Sequence, residues 1–482
     1  MDTKTTSLDQ YGPINHPSPV TLSEATIQGL SPYVSPTPGD IPVVALGNAY
    51  NNITSISDSV LLWFPQMGIN VTAPIVIYPT SEYNGFKNHI KTLLSSTFKY
   101  ETRLMVRGGS YTSDMTDKEI GTWINNWGTV STDLSSSGTI GGWMLNQDLS
   151  NDKSISTLAE LKFGYVGSSY SGVKDVWNRC AYASMTTSKS FSGSTDTTVP
   201  FAWFGNYATF IQNVAKTFRP AVWTNRFYAF HDALTDFSIR SGYYQNLEMF
   251  RRLAYNTNRP WWGQMAASYI SATPQTNKER NEVIQTVSMR YSYELHTMLA
   301  FGAQGIVLNK IFATLNETEM TEWAPINIEG KPDFDINDPL STLMLNIHTL
   351  RYIFVGASVR ECRFTKGRSM FNGFTIGFTN PMGNLVSITE TGTEKSTIGL
   401  LVSQILNGGN EYTVIVNVDP QITQEVTISF EKSATSVYPG ELTPKPATAF
   451  TRKIQPGDWV IFRTQLTEDV ILDDSDLEYK KE

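Results

Sequence analysis

The sequence predicts a (β/α)8, or TIM, barrel followed by a small antiparallel β-sandwich. From residue 41 to residue 309, short β-branched segments alternate with longer amphipathic ones, and there are eight short segments. After residue 358 the hydrophobic period changes to strict alternation in short runs broken by Gly, Asn and Pro. An open doubly wound sheet is the alternative, but it should carry a Gly-rich phosphate loop after an early strand, and the sequence has none.

The chain of 482 residues is too long for one ordinary core, so we expect several segments with different roles. Residues 1–40 contain six prolines, which predict an arm without helix or sheet that lies against the barrel or an assembly partner. The remaining segments are predicted as a barrel at 41–338, a linking helix at 339–357, a sandwich at 358–466 and an acidic tail at 467–482.

The elements follow from the local patterns in order. The predicted barrel strands are residues 42–46, 71–78, 102–106, 139–145, 179–185, 221–225, 260–266 and 305–309. The clearest helix covers residues 278–301, where Val283, Val287, Tyr291, Leu295 and Leu299 recur every four residues. A second amphipathic helix is predicted at 341–354. The predicted sandwich strands are residues 359–364, 374–378, 385–388, 400–405, 412–418, 425–430 and 459–462.

Composition excludes several classes of partner. The net charge is -8 and Lys and Arg form no cluster, which argues against nucleic acid. No apolar run approaches the roughly 18 residues that a membrane span needs, and residues 1–10 show no signal-peptide pattern. We therefore expect an unexported chain or one whose signal has been removed, and an extracellular surface or a virion stays open as its location. Cys180 and Cys362 are expected to be free thiols, and without a Cys/His cluster or a cofactor motif we expect no metal and no cofactor.

The fourth predicted strand ends in a polar tip. An apolar run leads into Asn146, Gln147 and Asp148, so that two amides and a carboxylate follow a buried strand. In β/α barrels the carboxyl ends of the strands form the face that carries the chemistry. Asp148 is therefore the candidate catalytic residue.

Several strings resemble the TIM-barrel glycoside hydrolases of gut-type bacteria that carry a Gly-aromatic-x-Leu-x-Asp-Glu-Pro string at strand four and a C-terminal β-sandwich. The matching strings are GWMLNQDL at 142–149, NRFYAF at 225–230, NLE at 246–248, RPWW at 259–262, LAFGAQGI at 299–306, EYTVIVN at 411–417 and PGD at 456–458. Each string is weak alone, and their order along the chain carries the resemblance. It implies a barrel directed at oligo- or polysaccharide.

The departures from this family concern its acids. Asp148 occupies the position of the general-acid Glu, and Gln147 replaces the acid beside it. Asn225 stands where the family usually has an Asp on strand six, and Gln264 is the polar residue of strand seven, where related barrels carry their nucleophile. Glycoside hydrolysis ordinarily needs two carboxyls, about 5 Å apart for retention or about 6.5 to 9.5 Å apart for inversion. The strand tips therefore predict a catalytically degenerate barrel, or pseudoenzyme.

The candidate substrate-binding residues supply amides, rings and charges at the same face. They are Arg107, Gln147, Asn225, Tyr228, His231, Trp261, Trp262, Gln264, Asn309 and Lys310. Neighbours on a strand point to opposite sides, so at least one of the two tryptophans is expected to be core packing. His231 could be a general base or a hydrogen-bonding surface residue, and Arg107 or Lys310 could face an acidic sugar or pair with Asp148 and lower its pKa.

Three functions remain open from the sequence. The first is glycan binding, or a structural or adhesive role, by a degenerate barrel. The second is an active glycoside hydrolase that pairs Asp148 with a loop carboxylate, although such loop acids are normally solvated. The candidates for that partner are Asp232, Asp236, Glu317, Glu319 and Glu322. The third is a structural subunit of a virion or surface assembly, which the Pro-rich arm suggests.

Overall fold

The structure is a computed structural model. It describes residues 22–47, 63–76, 103–108, 140–149, 181–185, 211–230, 233–240, 243–313, 320–327, 329–366, 382–440 and 445–465. Within these residues the chain divides into two compact units. One unit comprises residues 22–291 and 303–351, and the other comprises residues 292–302 and 352–465.

Eight parallel strands form a closed barrel in the first unit. The barrel strands are β1 Val43–Gly47, β2 Val71–Val76, β3 Arg103–Gly108, β4 Ile140–Leu149, β5 Ala181–Met185, β6 Trp223–Arg226, β7 Trp261–Ala266 and β9 Ile306–Asn309. Each strand pairs with the next, and β9 pairs with β1 to close the ring. Two further strands, β8 Tyr269–Ala272 and β10 Met320–Trp323, form an antiparallel ribbon outside the barrel. Each of the eight predicted barrel strands overlaps an observed one, so the predicted parallel sheet is confirmed.

The described helices are α1 Glu24–Gln28, α2 Trp63–Gln66, α3 Tyr243–Thr257, α4 Asn277–Ala300, α5 Phe334–Thr349 and α6 Arg351–Phe354, with a π-helical turn at Val214–Phe218. Helix α4 confirms the segment predicted at 278–301. Helix α5 begins earlier than predicted, because the Asp333 carboxylate accepts a hydrogen bond from the Asp335 amide and starts the helix before Pro339. The segments that connect β2 to β6 lie largely outside the described residues.

The described part of the predicted arm lies against the barrel of its own chain. The expectation of no helix there is wrong at α1, because the Ser23 hydroxyl accepts the Thr26 amide and caps a short helix. Downstream, the Arg259 guanidinium donates to the carbonyl of Ser31 at 2.8 Å, and Tyr33 packs against the buried barrel cluster that contains Val44. Residues 1–21, which the predicted assembly contact also included, lie outside the described residues.

A half-buried histidine joins three segments of the barrel unit. The His348 Nδ1 lies 2.8 Å from the Asp40 carboxylate, and its Nε2 lies 2.7 Å from the Gly68 carbonyl. Both partners are acceptors, so both ring nitrogens must donate and the imidazole must carry its proton. Burial disfavours the charged ring, but the hydrogen bonds from His348 to Asp40 and Gly68 and the charge of Asp40 outweigh it and raise its pKa. Burial likewise opposes ionisation of Asp40, yet His348 lowers the pKa of that carboxyl.

We expect His348→Gln to destabilise the protein most near pH 5 to 6. A raised histidine pKa stabilises the fold fully below its ordinary value of 6.5 and loses that contribution as the pH rises through the raised value. The lowered pKa of Asp40 keeps the carboxylate charged until the pH falls below its ordinary pKa of 3.8. Because both side chains keep some solvent contact, we expect a loss of about 1 kcal/mol. Thermal unfolding of His348→Gln and of the unmodified chain from about pH 4.5 to about pH 9 measures the loss of stability. A loss independent of pH would contradict a charged His348. Asp40→Asn should show the same dependence of the loss on pH.

The second unit contains one connected antiparallel sheet of seven strands. They are β11 Ser358–Phe364, β12 Leu385–Glu390, β13 Leu400–Asn407, β14 Asn410–Asn417, β15 Gln424–Tyr438, β16 Ala447–Ile454 and β17 Trp459–Gln465. The strand order is β11-β13-β14-β17-β15-β12, and β16 pairs with β15. The first half of β15 pairs with β12 and β16, and after a register shift between Ser429 and Ala434 its second half pairs with β17.

The predicted two-layer sandwich is not confirmed, because the long strand β15 joins both halves into one sheet around a single apolar cluster. The sequence pattern missed the second half of β15 because the polar residues Glu431 and Lys432 interrupt the alternation. It also missed β16, of which only Phe450 and Ile454 are buried. The strand predicted at 374–378 lies outside the described residues. Cys362 of β11 is a buried thiol outside any disulfide, as expected, and its Sγ donates to the Ala300 carbonyl; Cys180 lies outside the described residues.

Candidate functional site

The candidate site is the rim formed by the carboxyl ends of the barrel strands. Strand register brings several predicted residues to this end. Arg107 of β3 pairs with Met144 of β4, and Asn225 of β6 pairs with both Met185 and Gly263. On β7 and β9, Gln264 pairs with Val307 and Ala266 pairs with Asn309. The register thus places the backbones of Asn225, Gln264 and Asn309 in the carboxyl-terminal halves of β6, β7 and β9, the end where such barrels carry their sites.

Strand β4 is irregular where it carries the candidate acid. Leu145 pairs with Ala183 and Leu149 pairs with Met185, so three residues of β4 face one residue of β5. The extra residues lie within the segment 146–148, which contains Gln147 and Asp148. Bulges of this kind re-aim side chains and are frequent beside functional sites. The strand also runs to Leu149, four residues beyond its predicted end, so the polar tip belongs to the strand and not to a loop.

Both tryptophans of β7 are fully buried. The Trp261 ring packs against Phe250 of α3, with ring centroids 6.2 Å apart. Trp262 lies in the barrel cluster with Val44 and Val307, and its ring occupies the space where Gly305 lacks a side chain. The prediction that these rings cover a sugar needs exposed ring faces, which neither tryptophan has in this structure. Alternation along the strand explains the result, since one ring points to the helix layer and the other into the barrel.

Asn309 and Tyr228 join two strand ends at the rim. The Asn309 carboxamide Nδ2 donates to the Tyr228 hydroxyl at 2.5 Å. Both side chains are half-buried, while Gln264 is almost completely buried. Asn309 lies two residues beyond Val307 of the barrel cluster, and therefore points to the interior side of the rim. This pair can donate to and accept from a hydroxyl-rich ligand.

Lys310 forms an ion pair that the sequence did not predict. Its ammonium contacts the Glu322 carboxylate of β10, and the Glu322 side chain is fully buried while that of Lys310 keeps 30% exposure. The expectation that Glu322 is a solvated loop acid is therefore wrong. Lys310 also has a left-handed backbone with φ of 62°, which costs about 1 to 2 kcal/mol for a residue with a Cβ.

The other proposed partner acids divide into two groups. The Asp236 carboxylate accepts hydrogen bonds from the amide and hydroxyl of Ser238, at 2.8 and 2.6 Å, and so closes a turn. Asp232, Glu317 and Glu319 lie outside the described residues, as does His231. Of the loop acids that the structure describes, each therefore has a structural partner.

Arg290 of α4 holds the loop that follows β6, a role that the sequence analysis missed. Its guanidinium is fully buried and donates to the carbonyls of Ala233 and Asp236 at 2.7 and 2.8 Å. It also lies over the rings of Phe230 and Tyr269, 4.9 and 5.3 Å from their centroids. The available signal was a cation beside Tyr291 in the apolar stripe of a helix, which usually requires buried acceptors.

No helix in the described ranges is long and apolar enough to span a membrane. Among the same residues, no group of three or more His, Cys, Asp and Glu side chains is placed to hold a metal ion.

Comparison with known proteins adds little to this geometry. No protein-family model matches the chain, and no curated protein sequence matches it. One solved structure that it resembles is an exo-β-1,4-mannosidase from Opitutaceae bacterium strain TAV5, with 11% sequence identity and a TM-score of 0.42. The similarity covers 69% of this chain and 63% of the mannosidase. The chain therefore spans less than two thirds of that enzyme.

Two further structures are covered almost completely. An endo-β-1,4-mannanase from Thermotoga petrophila shares 12% identity over 89% of this chain and 98% of its own, with a TM-score of 0.39. An α-amylase from Lactobacillus plantarum shares 10% identity over 88% of this chain and 99% of its own, with a TM-score of 0.44. Similarities of this size carry no argument about the activity of this chain.

Proposed function

We propose that this protein is a glycoside-hydrolase-like barrel that binds oligo- or polysaccharide at the strand-end rim and has lost hydrolysis. The observation that carries the loss is the Lys310–Glu322 ion pair, because it neutralises and buries a carboxylate that could have completed an acid pair. The carbohydrate target is supported by the sequence resemblance and by a rim that presents amide, hydroxyl and ammonium groups.

The proposal is tested by incubating the full chain with an array of immobilised oligosaccharides and, separately, with the same oligosaccharides in solution. We expect retention of at least one glycan and no release of reducing ends. Asn309→Ala should weaken that binding roughly tenfold, because it removes a rim donor and the hydrogen bond that orients the Tyr228 hydroxyl. The matched control is Asn410→Ala, whose amide bonds only within its own turn and which should bind like the unmodified chain. Absence of binding to every glycan would refute the proposal.

A second candidate, an active glycoside hydrolase, is favoured by the irregularity of β4 at residues 146–148. In this mechanism Asp148 would protonate the leaving oxygen and a second carboxylate would act as nucleophile or base. Release of reducing ends that Asp148→Asn abolishes, with glycan binding retained, would establish it in place of the degenerate barrel.

A further inference from the structure

We propose that Lys310 determines which glycans the rim accepts, and that it favours sugars that carry a carboxylate, such as glucuronic or galacturonic acid. The inference rests on the proposed function, because it names the class of glycan bound at the same rim. Three observations on Lys310 support it, namely its backbone conformation, its ion pair and the hydrogen-bonding groups at the same rim.

The backbone of Lys310 is the first observation. Its φ of 62° lies in the left-handed region, where glycine or asparagine is more readily accommodated than lysine. Such conformations persist where the surrounding structure holds them, and they cluster at ligand sites. Lys310 directly follows Asn309, the last residue of β9, so the strained residue lies where the last barrel strand opens into its rim loop.

The ion pair is the second observation. An ammonium has three N–H donors, and Glu322 takes one side of the Lys310 ammonium. The Glu322 side chain is fully buried, so a ligand at the rim meets the lysine and not the acid. Since 30% of the Lys310 side chain remains exposed, its other donors can reach an acceptor brought by a ligand. Glu322 is thus a positioning residue that fixes the direction of the ammonium.

The neighbouring groups match a carboxylate. The Asn309 carboxamide, one residue before Lys310 in the chain, and the Tyr228 hydroxyl that it contacts are uncharged hydrogen-bonding groups of the same rim. A sugar carboxylate offers acceptor oxygens and a full negative charge, which an ammonium and an amide N–H satisfy together. Because Glu322 balances the charge of Lys310, the expected preference for acidic over neutral glycans is modest, about threefold to tenfold.

The test uses the full chain on an array that presents uronic-acid oligosaccharides, their methyl esters and neutral oligosaccharides. Esterification keeps the shape of the sugar and removes its charge. We expect the acids to be retained more strongly than their esters, and the difference to shrink as NaCl rises from about 50 mM to about 500 mM.

Variants assign the preference to Lys310. Lys310→Met should abolish the difference between acid and ester, and the double variant with Glu322→Gln should do the same without leaving a buried carboxylate unpaired. Glu322→Gln alone should increase the preference for acids, because the ammonium loses its counter-charge. The matched control is Lys331→Met, which removes a lysine from an exposed Lys–Glu pair and should leave the preference unchanged.

The outcomes separate the two proposals. Equal retention of acids and esters by the unmodified chain overturns the role of Lys310 and leaves glycan binding standing. A folded double variant, Lys310→Met with Glu322→Gln, that still prefers acids to esters has the same consequence. Failure to retain any glycan overturns the proposed function, and the inference falls with it.

Discussion

Replacing Arg290 by methionine is expected to lower the free energy of unfolding by about 3 kcal/mol, because the buried guanidinium and its two hydrogen bonds to the carbonyls of Ala233 and Asp236 are lost. The two ring contacts of the guanidinium, with Phe230 and Tyr269, are lost as well. Urea unfolding followed by tryptophan fluorescence measures the change. We also expect faster hydrogen exchange in residues 233–240, whose backbone the arginine holds.

Two further substitutions, each of an arginine on α4, make the test specific. Arg290→Lys keeps the charge but cannot reproduce the planar fork, so it should lose nearly as much stability. Arg280 lies on α4 like Arg290, and its guanidinium forms an exposed ion pair with Asp335. Arg280→Met removes this pair and should cost less than about 1 kcal/mol. Equal losses of unfolding free energy for Arg290→Met and Arg280→Met would show that the buried guanidinium does not hold the loop that follows β6.

Replacing Glu248 by glutamine is expected to cost about 3 kcal/mol at neutral pH. The Glu248 carboxylate of α3 accepts from Arg251 at 2.7 and 2.8 Å and from Arg252 at 2.7 Å, and all three residues are buried. Burial opposes its ionisation, but the two arginines outweigh burial and lower the pKa of Glu248 from 4.5 to about 2. A neutral amide leaves the buried arginines without their counter-charge.

The pH dependence of this loss follows from the lowered pKa. A lowered carboxyl pKa contributes stability above the ordinary value of 4.5, and that contribution is lost as the pH falls towards 2. The lowering of the Glu248 pKa from 4.5 to about 2 corresponds to about 3 kcal/mol. The unmodified protein should therefore lose stability between about pH 4.5 and pH 2, and Glu248→Gln should lose less over that interval.

Glu282→Gln provides the control for Glu248, because it removes an exposed acid from a surface pair with Lys278 and should unfold like the unmodified chain. An acid-unfolding curve of Glu248→Gln that parallels that of the unmodified protein would argue against a carboxylate held ionised by Arg251 and Arg252.

Hydrophobic periodicity accounts for the parts of the fold that the sequence predicted. The β-branched segments of the barrel and the four-residue spacing in α4 depend on neighbours in the chain, so eight strands and the long helix could be identified from local pattern. The same reasoning failed at β15, where pairing with β17 continues the strand through a polar stretch. Strand pairing is decided by residues far apart in sequence, which local alternation does not record.

The candidate site divides in the same way. Residue type and position at strand ends were enough to nominate Asn309, Tyr228 and Lys310 for the rim, and the alternation rule anticipated that one tryptophan of β7 would be buried. The sequence could not show that Lys310 pairs with Glu322 or that Arg290 holds the loop of Asp236. These contacts join residues 12 and 54 positions apart, and burial there turns acids and cations that look solvated into structural pairs. The sequence by itself determined which elements form and which polar residues follow them, while only the tertiary structure decided which charges meet, because partner choice depends on distance and desolvation in the folded chain.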